Sequence, residues 1–126
     1  MAPLAAVVDD DISVRESLQS LIRSAGLEVT VFASAEEFLN SVHLRKADCL
    51  ILDVRLPGMS GIDLHRQLMA ESCKVPAIFI TAHGYDDRLR SQTYSDWTVA
   101  CLTKPFSEDD LFDAVQAALK WQPNKN

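Results

Sequence analysis

Five short runs of mostly branched apolar residues punctuate the chain: LAAVV at 4–8, LEVTVF at 27–32, CLILDV at 49–54, AIFIT at 77–81 and TVACL at 98–102. They are near-continuous rather than alternating. That pattern suits strands buried on both faces, the condition of a parallel sheet covered by helices on either side. Between the runs, apolar residues fall at helical spacing instead. Val14, Leu18, Leu21, Ile22 and Ala25 make one such face, which Ser13 and Glu16 are placed to open as a capping box and Gly26 to stop. Ser34 with Glu37 opens a second, carrying Phe38, Leu39 and Val42, and Ser60 with Asp63 opens a third, carrying Ile62, Leu64 and Leu68. Ser107 with Asp110 opens the last, carrying Leu111, Val115, Ala118 and Leu119. In GYDDRLRSQTYSDW, Tyr85, Leu89, Thr93 and Trp97 fall four apart, but Asp, Ser and Thr are mediocre helix formers. A helix is expected there nonetheless. Five rounds of strand and helix predict an α/β fold, a doubly wound parallel sheet with right-handed crossovers and helices on both faces.

A chain of 126 residues has the usual size of one domain with one core. Nearly half of it is apolar and its net charge is −6, which disfavours disorder and membrane spanning and removes the electrostatic footprint of a nucleic-acid binder. The start, MAPLAAVVDD, has no basic leading region and runs straight into acids, so it reads as neither signal peptide nor anchor. Cys49, Cys73 and Cys101 are odd in number and widely spaced, which points to neither a disulfide framework nor a zinc site. A reducing cytoplasm is the expected location. There is no internal repeat, and only QPNKN at 122–126 reads as a tail or the start of a linker.

In a doubly wound sheet, ligands bind outside the carboxyl ends of the strands. The first run ends in Asp9, Asp10 and Asp11, the third in Asp53, the fourth in Thr81, and the fifth leads into Lys104 and Pro105. The second ends in Phe32 and Ala33 and brings nothing polar. Like charges this close are costly, about 4 kcal/mol per pair at 4 Å and an effective dielectric of 20. Each element has a plain alternative: the acids as a helix cap near a positive dipole end, Asp53 as a turn acid, Thr81 as a strand end, Lys104 as a solvated charge. Their joint arrival on one rim fits a different chemistry. A hard divalent cation takes carboxylate oxygens together with water and phosphate oxygens, a carboxylate can serve as nucleophile, and a hydroxyl and an ammonium can bind the remaining phosphoryl oxygens.

With VVDDD, LILDVRLPGMSG, ITAHG and LTKPF at these spacings, the chain resembles the receiver domain of bacterial two-component response regulators over essentially its whole length. SAEEFL and PGMSGIDL are similar to the FixJ-like branch of transcription regulators. The resemblance implies a flavodoxin-like strand order 2-1-3-4-5, a receiver over residues 1–121, and a bound Mg²⁺ or Mn²⁺. It implies that Asp53 takes a phosphoryl group from a histidine kinase or phosphotransfer protein. Asp10 would bind the metal directly, Asp9 mainly through water, and Asp53 and the main-chain carbonyl of Arg55 would complete the protein ligands. Thr81 and Lys104 would bind the phosphoryl, with the Lys104–Pro105 peptide cis, and Asp11 would be a helix-start acid. The same resemblance implies a monomer or weak homodimer, with an output domain or protein target meeting the face of the fourth helix, fifth strand and fifth helix.

The chain departs from the family where a ring usually stands three residues before the lysine: here it is Cys101. SDWTVA, with Trp97, replaces a turn of small residues, and the segment reads about one residue longer than in FixJ-like relatives. His83 and Arg55, each two residues beyond a site residue, are either solvated loop side chains or a shield that keeps water from an acyl phosphate. His43 and His65 read as surface residues, and Trp121 as packing the last helix or lying half exposed. A phosphatase of the haloacid dehalogenase type would need a second acid where Arg55 stands, and a flavin carrier a phosphate cradle where the acids stand. The remaining competitor is an interaction module of the same fold that works without phosphorylation.

Overall fold

The computed structural model describes residues 2–82 and 87–122. Each expected run forms a strand and each gap a helix: β1 Leu4–Val8, α1 Ile12–Ser24, β2 Glu28–Phe32, α2 Ala35–Leu39, β3 Cys49–Asp53, α3 Gly61–Ala70, β4 Ala77–Thr81, α4 Asp87–Thr93, β5 Thr98–Thr103 and α5 Glu108–Leu119. The strands make one parallel sheet in the order β2-β1-β3-β4-β5. No helix among the described residues is long and apolar enough to cross a membrane.

The two-faced core explains why the runs are continuous. Ala6, Val8, Leu50, Leu52 and Phe79 point to one side, where Phe38, Leu64 and Leu68 of α2 and α3 cover them. Ala5, Val7, Ile51, Ile78 and Ile80 point to the other, where Leu18 and Ile22 of α1 and Leu111 and Val115 of α5 lie. Successive residues of a strand face opposite ways, so a strand with two covered faces has no position for a polar side chain. Fully burying each of the larger side chains contributes roughly 1.5–3 kcal/mol.

Three of the four serine-led starts are as expected, with the hydroxyls of Ser34, Ser60 and Ser107 accepting from the backbone N–H of Glu37, Asp63 and Asp110. The first is different. Asp11, not Ser13, caps α1, its Oδ1 accepting from Ser13 N at 2.8 Å, so the Ser13–Glu16 box does not form the start. The acid wins because its carboxylate meets both the free N–H groups and the positive end of the helix. Helix α2 also stops short of Val42, which is 78% exposed rather than part of the apolar face. Ser41 ends it locally: the hydroxyl donates to Phe38 O at 2.8 Å and accepts from His43 N.

The same competition shortens α4. Thr98 Oγ1 donates to Thr93 O at 2.6 Å and Ser95 Oγ accepts from Trp97 N, so Trp97 falls in the turn before β5 rather than on the helix. Tyr85 lies outside the described residues. Strand β5 is an edge strand, only partly buried, and its register slips between Ala77↔Thr98 and Ile78↔Ala100, leaving Val99 as an inserted residue. The slip takes up Val99 without disturbing the pairing of Thr81 with Thr103.

His65 is a correction to the sequence reading. It is 3% exposed on α3, its Nε2 donating to Val75 O at 3.1 Å and its ring edge-on to Phe79 at 5.7 Å. An apolar i, i+3, i+4 face centred on Leu64 and Leu68 leaves position 65 at its margin, which is why polarity alone misplaced it. Burial holds this imidazole neutral, lowering its pKa, and the bond to Val75 O only partly opposes that. The unfolded chain therefore takes up a proton below its ordinary pKa of about 6.5 while the folded one resists, and stability falls as pH drops through that range. Urea unfolding between pH 7.5 and 5 should show the midpoint of wild type falling more steeply than that of His65→Gln, whose amide can keep the bond to Val75 O; parallel curves would contradict the assignment.

Candidate functional site

Parallel pairing sets the ends of four strands on one edge, because Val8 pairs with Leu52, Asp53 with Ile80 and Thr81 with Thr103. The residues that follow are those singled out from the sequence. Carboxylate oxygens of Asp9, Asp10 and Asp53 lie within 4.8 Å of one another. Asp9 is 0% exposed and Asp53 6%, whereas Asp10 is exposed. Lys104 Nζ reaches both buried acids, donating to Asp9 Oδ2 at 3.0 Å and to Asp53 Oδ2 at 3.2 Å. Their other oxygens accept backbone N–H groups: Asp9 Oδ1 from Asp11 at 2.9 Å and Asp53 Oδ1 from Arg55 at 3.0 Å.

Each tie has a local cause. Both Asp side chains close turns onto the amide two residues on, a habit of aspartate after a strand. Lys104 is brought in by its own N–H, which bonds Thr81 O at 2.8 Å, and is followed by a cis peptide to Pro105. Thr81 is buried at the end of β4. Arg55 is exposed, with its main chain held against Asp53 by the turn. Asp11 is the α1 cap and does not join the cluster of three acids. His83 lies outside the described residues.

The electrostatics are unbalanced. Burial pushes the Asp53 pKa up; the Arg55 N–H pulls it back, Asp9 raises it again, and Lys104 lowers it. Burial also works against the Lys104 ammonium, but its hydrogen bond to Asp9 and the attraction of both acids outweigh this and raise its pKa. One ammonium thus bridges two acids while a third stands open to solvent. All the donors are oxygens, three carboxylates in a cup, and this is the set a hard divalent cation takes. Cys49 and Cys101 offer no rival site. Burial pushes their thiols up to about 12 and about 11, so neither is a thiolate near neutral pH.

Three residues at this edge were not singled out from sequence. Arg15 Nη1 donates to Asp9 O at 2.8 Å and fixes the peptide between Asp9 and Asp10. A basic side chain early in a helix opposes the dipole, a signal that an anionic group is near. Gly61 opens α3 so close to the end of β3 that a Cβ there would sit 2.1 Å from Asp53 O. Glu36 of α2 accepts from Met59 N at 3.1 Å in the loop after Asp53, and nothing in SAEEFL marks that long-range bond. Cys101, opposite Phe79, and Trp121, whose Nε1 donates to Asp96 O at 2.7 Å, line a groove of about 620 Å³ beside α4 and β5. Trp121 is partly buried, as expected.

The order β2-β1-β3-β4-β5 with an acid cup and a bridging lysine at the carboxyl edge defines a class of doubly wound α/β proteins with a charged site at the strand ends. The family can now be stated. The profile of the response regulator receiver domain matches residues 5–116, and the chain belongs to that family. It is 45% identical to the response regulator protein TodT of Pseudomonas putida over 124 residues, 98% of this chain and 54% of that protein. It is 48% identical to nodulation protein W of Bradyrhizobium diazoefficiens over 112 residues, 89% of this chain and 49% of that one. The response regulator StyR superposes with a TM-score of 0.83 at 45% identity, covering 95% of this chain and 60% of the other. The FixJ-N crystal structure does so at 0.83 and 29% identity, covering 98% of each. The chain spans about half the length of the curated relatives it matches.

The unbalanced charge has a direct consequence for stability. A carboxylate whose pKa is raised on folding is costlier ionised in the folded state than in the unfolded one, so ionised Asp53 destabilises the metal-free protein at neutral pH. Asp53→Asn loses one hydrogen bond but removes that charge. In metal-free buffer at pH 7 it should raise the melting temperature measured by calorimetry. A lowered melting temperature would mean that Lys104 more than neutralises the cup.

Proposed function

We propose that this chain accepts a phosphoryl group on Asp53 from the phosphohistidine of a histidine kinase or phosphotransfer protein. The observation that carries the reading is the pair of buried acids bridged by Lys104 with Asp10 beside them. An Asp53 carboxylate oxygen attacks phosphorus, the P–N bond breaks, and the imidazole leaves with the electron pair, giving an acyl phosphate. Lys104 exchanges its bonds to the acids for charge-assisted bonds to phosphoryl oxygens, and the Thr81 hydroxyl donates to another. Asp10 directly, Asp9 mainly through water, Asp53 and the Arg55 carbonyl would hold Mg²⁺ or Mn²⁺. That ion supplies the positive charge that offsets repulsion between acids and incoming phosphate. The bond from Asp11 N to Asp9 Oδ1 keeps Asp9 from swinging into the path of attack.

Phosphorylation adds about −1.5 to −2 charges at neutral pH. Thr81 and Lys104 are drawn toward them, and the ends of β4 and β5 follow, shifting a balance between two states. The receiver would occupy residues 1–121 with a tail or linker start beyond, work in the cytoplasm as a monomer or weak homodimer, and signal through the α4, β5 and α5 face. Cys101 leaves no ring on β5 to carry that signal. Arg55 and His83 are the candidates for shielding the acyl phosphate from water. Incubation with acetyl phosphate and Mg²⁺, followed by intact-mass spectrometry, should add one phosphoryl group to wild type and none to Asp53→Asn or to a sample held in EDTA. An unmodified wild type would favour a phosphorylation-independent interaction module instead.

A further inference from the structure

The loop from Val54 to Ser60 carries the Arg55 carbonyl and is tied at both of its ends. Val54 N bonds Ile80 O at 2.9 Å, Arg55 N bonds Asp53 Oδ1 at 3.0 Å, and Gly61 N returns to Val54 O at 3.2 Å. Its middle is held from outside. Glu36 Oε2, on α2, accepts from Met59 N at 3.1 Å. A second observation places the same carboxylate against the same loop. Gly58 has φ +77°, in the region that favours glycine, and a Cβ there would lie 2.8 Å from Glu36 Oε2. Carboxylate and glycine therefore lie against each other: a side chain at residue 58 would be strained at this φ and would have to push the Glu36 carboxylate aside.

We infer that Glu36 is a positioning residue: it clamps the loop after Asp53 and thereby sets where the Arg55 carbonyl stands relative to Asp10 and Asp53. The inference rests on the reading that this carbonyl serves a bound Mg²⁺. Its physical basis is that Pro57 contributes no N–H and Gly58 is the loosest residue of the loop, so its middle is the part most in need of an external tie. The neighbouring Leu56 and Met59 pack on the core cluster beside Phe38, which fixes depth but not the rotation of the peptide planes. A directional bond from a carboxylate to a backbone N–H supplies that rotation.

The acceptor and the charge of Glu36 can be separated. Glu36 is exposed, so its substitution leaves the core intact. By isothermal titration with MgCl₂ at constant ionic strength, Glu36→Ala should weaken affinity about three- to tenfold, while Glu36→Gln, which keeps an acceptor without the charge, should stay within about twofold of wild type. Amide exchange of Met59 should quicken in Glu36→Ala and remain near wild type in Glu36→Gln. Wild-type affinity in Glu36→Ala overturns the inference. So does equal loss in both variants, which would make Glu36 a distant charge attracting Mg²⁺ rather than a clamp. A wild type that binds no Mg²⁺ overturns the metal site and the inference together, an outcome distinct from either.

Discussion

One ammonium holds two buried carboxylates: Lys104, at 3.0 Å from Asp9 and 3.2 Å from Asp53, is the interaction on which the edge of this sheet depends. Desolvating two acids side by side costs several kcal/mol per ion unless a partner of opposite charge is fixed between them. The partner here comes from 51 and 95 residues away in sequence, so only the closed fold can supply it. Asp10 stays outside the bridge and exposed, leaving the cup short of positive charge. A protein that needed only a stable edge would have apolar residues there. The arrangement leaves an excess of oxygen donors and negative charge, which the proposed cation would offset.

The rest of the molecule positions that bridge. Crossover helices on both faces require strands that are apolar throughout, and such strands end abruptly where polarity resumes, at Asp9, Asp53 and Thr81. Strand β4, buried between β3 and β5, presents Thr81 from a rigid support, while β5 is an edge strand that brings Lys104 with a bulge behind it at Val99. Asp53 and Thr81 thus stand on fully buried inner strands and Lys104 at the end of a partly buried edge strand. That asymmetry suits the exchange of partners proposed for Lys104.

Most of this was legible because the strands announce themselves and because strand ends, unlike loop interiors, have a forced destination. Asp9, Asp10, Asp53, Thr81 and Lys104 could be placed together from sequence for that reason. What escaped was set by competition among neighbouring polar side chains. Asp11 displaced Ser13 as the cap of α1, Ser41 ended α2 before Val42, and Thr98 and Ser95 ended α4 before Trp97. His65 was misplaced because one hydrogen bond to Val75 O suffices to bury an imidazole, and no spacing rule reports a carbonyl ten residues away. Glu36 acts through a backbone group of another segment, which carries no side-chain signature, and Arg15 shows only as a basic side chain early in a helix.

Membership of the receiver family and the geometry of the cup lead to one claim: the edge carries an excess of negative charge held in readiness for a divalent cation. The most direct test is the melting temperature of the wild-type protein as MgCl₂ is raised against NaCl of matched ionic strength, alongside Asp10→Asn. The account predicts a saturating rise in wild type that Asp10→Asn abolishes or moves to much higher concentration. A melting temperature that follows ionic strength alone, identically in both proteins, would contradict it.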